Sequence, residues 1–192
     1  MTFDTTTRGV YPIAPTPFTP DGAVDMASLD RLVDFYRDCG AAGITILGIM
    51  GEAAKLEPAE SEAIARRVIA RAGIPVVVGV SAPGFAAMRA LAGQAMAAGA
   101  AGVMVAPAPH LRTDEQILAY FAQAVEAIGP QTPWVLQDYP LTLTVQLSVP
   151  VIAAIMAAHP SCVMLKAEDW PGLEKLSTLR LSLIHISEPT RH

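Results

Sequence analysis

Cysteine is nearly absent: the 192 residues contain only Cys39 and Cys162, far apart and in unlike contexts. That excludes a disulfide framework and leaves no metal-ligand spacing, so a reducing, cytoplasmic setting without a bound metal or cofactor is expected. Basic charge is also scarce. Thirteen Lys and Arg against eighteen Asp and Glu give a net charge of -5, with no basic run. Neither a nucleic acid nor an anionic membrane is an expected partner. No apolar run is long enough for a membrane span, because Pro, Gly, Asp or Arg interrupts each one. The opening Met1-Thr2-Phe3-Asp4 lacks the basic and apolar regions of a secretory signal. Aromatic residues make up 6% and charged residues 16%, while 52% are hydrophobic. This is the composition of one globular domain with a largely aliphatic core.

What is present is an alternation. Six apolar runs recur at roughly thirty-residue spacing: Val10–Ala14, Ile44–Gly48, Val76–Val80, Gly102–Ala106, Trp134–Asp138 and Val163–Lys166. They are continuous rather than alternating, as strands of a covered parallel sheet should be. Between them the period becomes helical. Leu29, Leu32, Val33 and Tyr36 share one face, Met88, Leu91, Ala92 and Ala95 a second, and Ile117, Tyr120, Phe121 and Ala124 a third. Pro58 after Glu57, and Thr113 with Gln116, are helix starts. Gly40, Gly73 and Gly99 stand where helices end in a left-handed residue.

Six βα units in series predict an α/β fold, either a doubly wound sheet or an incomplete (β/α)8 barrel spanning residues 1–180. No Gly-x-Gly-x-x-Gly follows the first run, which weighs against a dinucleotide-binding sheet. In a barrel, functional residues gather at the C-terminal ends of the strands. Those ends carry Pro15-Thr16-Pro17-Phe18, Gly48-Ile49-Met50-Gly51-Glu52, Ser81, Pro107-Ala108-Pro109-His110, Gln137-Asp138-Tyr139 and Lys166. Lys166 ends an apolar strand. Burial disfavours the charged form of an amine, and a neutral amine is a nucleophile for carbonyl carbon. Glu52 reads as a carboxylate that fixes its turn, Asp169 as a cap for the next helix and Trp170 as an anchor for the loop between. Gln137 and Tyr139 are candidates for substrate contact, and His110 is a lone loop histidine.

These residues resemble the dihydrodipicolinate synthase / N-acetylneuraminate lyase family. The similarity runs from Gly9 to Arg180. It rests on Thr16-Pro17-Phe18, Asp21-Gly22 and Asp25, on the turn Gly48–Glu52 with Leu56 and Glu60 in register, and on Gly79, Gly99 and Gly102. Lys166 falls at the family's Schiff-base lysine. The resemblance implies a (β/α)8 barrel and a class I lyase or aldolase acting on a 2-oxo acid such as pyruvate. It also implies a homo-oligomer. It implies catalytic roles for Lys166, Tyr139 and Gln137, and carboxylate binding by Gly48, Ile49, Met50 and Gly51.

The departures are specific. The family's paired threonines are here Ile49 and Met50, which leaves only backbone N–H groups for a carboxylate. Its strand-five tyrosine aligns with Gln137, and Tyr139 lies two residues on. Its aromatic pair after the fourth strand is Ala108-Pro109. An imine-forming dehydratase of a deoxy sugar acid, or a barrel that binds a small acid without chemistry, fits the same residues. The last segment, 181–192, reads as the in-frame translation of a sequencing-library adaptor and is expected to be foreign. The barrel would then stop after its sixth unit, with exposed edge strands.

Overall fold

The computed structural model describes residues 3–183. Helix α1 (Met26–Asp38) leads into strand β1 (Ile44–Ile46). Then follow α2 (Pro58–Ala72), β2 (Val76–Gly79), α3 (Phe85–Ala97), β3 (Gly102–Val105), α4 (Asp114–Ile128) and β4 (Trp134–Asp138). The short α5 (Pro140–Leu143), α6 (Val149–Ala158), β5 (Cys162–Ala167) and α7 (Leu173–Leu183) complete the order. The expectation of a foreign tail at 181–192 lies, beyond Leu183, outside the described residues.

Local chemistry sets the helix limits. Glu57 and Glu60, and Thr113 and Gln116, form reciprocal capping boxes at the starts of α2 and α4. Gly73, at φ 63, ends α2 in the left-handed conformation that glycine adopts without penalty. The Asp25 side chain accepts from the Ser28 N–H to start α1.

The five strands form one parallel sheet in the order β1-β2-β3-β4-β5, as an incomplete (β/α)8 barrel requires. The first apolar run is a correction to the expected six strands. Val10–Ala14 lies beside β1 but forms a single isolated bridge, Ile13↔Thr45, with one further main-chain bond from the Ala42 N–H to the Val10 carbonyl. Pro12 carries no N–H, so the ladder cannot continue from Ile13 back toward Val10.

The strands bury both faces. Outward, Ile44, Ile46, Val76, Val78, Val103, Val105, Trp134 and Leu136 pack under the helices in the main core. Phe121 of α4 stacks on Trp134 with ring centroids 5.8 Å apart. Inward, Phe3, Val77, Met104 and Val135 form a second cluster, against which Tyr11, Val163 and Met164 pack. The pairing of β4 with β5 contains a bulge. Trp134 faces Cys162, but Val135 faces Met164, so Val163 is an extra residue.

Candidate active site

Gln137 and Lys166 are register partners on β4 and β5. Partners across a ladder present their side chains to one face, here the interior of the barrel. Gln137 is 2% exposed, and the Lys166 side chain 21%. Glu168 completes the group. Its N–H donates to the Asp138 carbonyl at 2.8 Å, which carries the pairing one step past β5. Two residues beyond Lys166, its carboxylate therefore returns to the lysine's face. Glu168 Oε2 accepts from Gln137 Nε2 at 2.7 Å and lies 2.9 Å from Lys166 Nζ. One carboxylate oxygen holds an amide and an amine together.

The alternate residues face outward. Asp138 is fully buried beneath α7, where Lys175 Nζ approaches its Oδ2 to 2.5 Å. The same ammonium lies 3.0 Å from Asp169 Oδ2. Burial pushes the Asp138 carboxyl above the usual range, against the opposing pull of Lys175. Among the described residues its second oxygen, Oδ1, has no hydrogen-bond partner.

At the same end of the sheet, the turn after β1 is shaped by backbone. Leu47 and Glu52, both at φ 55, bracket Gly48–Gly51 in the left-handed region. The buried Thr16 hydroxyl donates to the Gly51 carbonyl at 2.6 Å. Among the described residues the N–H groups of Ile49, Met50 and Gly51 have no protein acceptor. The side chains of Ile49 and Met50 point out and are 36% and 62% exposed. Gly79 of β2 allows the turn to sit where it does. A β-carbon there would lie 2.1 Å from the Leu47 carbonyl oxygen.

Other sequence candidates stand elsewhere. Tyr139 is the half-buried N-cap residue of α5. Glu52 pairs with Lys55 on the surface. His110 lines a separate groove of about 360 Å³ with Phe85 and Tyr120. Asp169, expected to cap the next helix, is engaged otherwise: its Oδ1 accepts the adjacent Trp170 N–H at 2.8 Å while Oδ2 meets Lys175. Trp170, expected to anchor the loop, is 79% exposed. The loop is held instead by these ionic contacts, which leave the indole in solvent. Glu168 and Lys175 were not singled out from sequence. The Lys-x-Glu spacing was the one available signal for Glu168, since residues two apart on an extended chain share a face.

The sequence model of the dihydrodipicolinate synthetase family matches residues 6–169. The chain belongs to that family. Among curated relatives, a 4-hydroxy-tetrahydrodipicolinate synthase of Sorangium cellulosum is 36% identical, over 82% of this chain and 53% of its own length. An L-2-keto-3-deoxyarabonate dehydratase of Azospirillum brasilense is 31% identical, over 90% of this chain and 57% of its own. The chain thus spans little more than half the length of these curated relatives. Among solved structures, a dihydrodipicolinate synthase from Rhodopseudomonas palustris is 58% identical with a TM-score of 0.93; the match covers 97% of this chain and 62% of that one. In this dihydrodipicolinate synthetase family chain, Lys166 stands at the end of the strand where the barrel's interior opens.

Proposed function

We propose that the protein containing this chain condenses Lys166 with a 2-oxo acid such as pyruvate, and makes or breaks a bond next to the resulting imine. The observation that carries the reading is the single Glu168 oxygen shared by Lys166 and Gln137. The proton Lys166 must shed to attack C2 has an acceptor 2.9 Å away. Glu168 returns that proton to the carbinolamine hydroxyl, which leaves as water to give the imine. Its protonated form draws electrons from C3, and Glu168 then takes a C3 proton to leave an enamine. Gln137, which cannot itself exchange protons near neutral pH, orients that carboxylate by donating to it. The free N–H groups of Ile49, Met50 and Gly51, with Gly48, bind the substrate carboxylate. Tyr139, on the rim, offers its hydroxyl to the distal part of the substrate.

The enamine serves two reactions. Addition to an aldehyde, or its reverse, is a carbon–carbon lyase reaction. Expulsion of a C4 hydroxyl as water is dehydration, a reading favoured by the likeness to a 2-keto-3-deoxyarabonate dehydratase over 90% of this chain. Incubation with pyruvate and borohydride is expected to add a reduced three-carbon adduct at Lys166, detected by peptide mass, and Lys166→Ala to abolish it. With a 2-keto-3-deoxy sugar acid, release of pyruvate marks the lyase and loss of one water without cleavage marks the dehydratase. No adduct from any of a panel of 2-oxo acids would overturn the reading and leave a barrel that only binds a small acid.

A further inference from the structure

Gln137 and Glu168 are each followed by an aspartate, and Lys175 holds both. Its ammonium lies 2.5 Å from Asp138 and 3.0 Å from Asp169, with its side chain 14% exposed. Neighbours on an extended chain face opposite ways. The inner pair, of which Glu168 touches Lys166, and the outer pair, which touches Lys175, are therefore two sides of the same two backbone segments. The Glu168 N–H to Asp138 carbonyl bond joins those segments. Glu168 lies one residue beyond the end of β5, and that bond is its main-chain tie to β4.

We propose that Lys175 is a positioning residue for the imine site: from the outer face of the sheet it clamps the backbones that carry Gln137 and Glu168, and so keeps the Glu168 carboxylate on Lys166. The inference rests on the imine reading above. Without the ammonium, two carboxylates, one fully buried, face each other uncompensated. Asp169 then swings toward solvent and draws Glu168 with it. A displacement of about 1 Å at a reacting group lowers rates by about 100-fold.

Lys175→Met alone strands a buried charge and can unfold the protein, so the informative variant is Lys175→Met with Asp138→Asn. It removes the clamp and the buried charge together. The measurement is the rate of pyruvate adduct formation under borohydride as a function of pyruvate concentration, with a thermal melt alongside. The expected result is a cooperative melt and a maximal trapping rate at least tenfold lower. The half-saturating pyruvate concentration stays within about twofold, because the carboxylate subsite lies on the other side of the barrel mouth. In a Glu168→Gln background the same pair of substitutions should cost less than twofold more, because the clamp acts through Glu168. A folded variant that traps at the parental rate, or an equal loss in the Glu168→Gln background, overturns the proposal. So does a variant that loses its cooperative melt although the buried charge is gone. Absence of any adduct in the unaltered protein overturns the imine reading and this one with it.

Discussion

Gln137 faces Lys166 across the sheet because Val163 is skipped. Counting straight on from the Trp134↔Cys162 pair would place Leu165 opposite Gln137 and turn Lys166 outward beneath the helices. The bulge reverses the alternation for the rest of β5. Deleting Val163 removes the extra residue and still leaves Lys166 opposite Gln137, so the pyruvate–borohydride adduct is expected to persist in protein that melts cooperatively. Loss of the adduct from such folded protein would show that the bulge does more than set the register.

Gly79 meets the turn after β1 at backbone level. In Gly79→Ala the new methyl would lie 2.1 Å from the Leu47 oxygen and 2.7 Å from its carbonyl carbon, and neither is the end of a flexible side chain. The turn must shift, at a cost of about 1–3 kcal/mol. The expected outcome is a melting temperature several degrees lower, together with weaker saturation by pyruvate in the trapping assay. A change in stability with unaltered saturation would detach the turn from carboxylate binding.

Between α1 and α2, two bidentate pairs give stability a pH dependence. Arg67 donates to both oxygens of Asp30 at 2.7 Å, and Arg71 to both oxygens of Asp34. These hydrogen bonds hold both carboxyls below the usual range. A carboxyl lowered in the folded state contributes stability above its unfolded value, about 3.9, and loses it as pH falls through the lower folded value. Arg67→Met with Arg71→Met should cost little at neutral pH, since exposed pairs contribute little. It should also flatten the fall in melting temperature below about pH 4. An unchanged acid slope would mean that other carboxyls set it.

The alternation of strands and helices was legible because burial on both faces forces continuous apolar runs, and because Glu57–Glu60 and Thr113–Gln116 are short-range caps. The first run misled because its apolar content is strand-like while Pro12 removes a donor the ladder needs. Lys166 stood out as an amine closing an apolar strand. Its carboxylate partner did not, because the face of Glu168 depends on a one-residue bulge that leaves no mark in composition. Lys175 was further out of reach, since its contact with Asp138 spans 37 residues and exists only once α7 lies on β4.

The turn between Leu47 and Glu52 leaves main-chain donors without a partner among the described residues, and the side chains at positions 49 and 50 in solvent. On the proposed reading, grip on the common acid group is thus separated from whatever meets the variable end of a substrate. On that reading, exchanges at Ile49 and Met50 are expected to alter which compounds are accepted while leaving the scaffold intact. A pair of exposed positions beside unpartnered main-chain donors is a compact target for a two-site library.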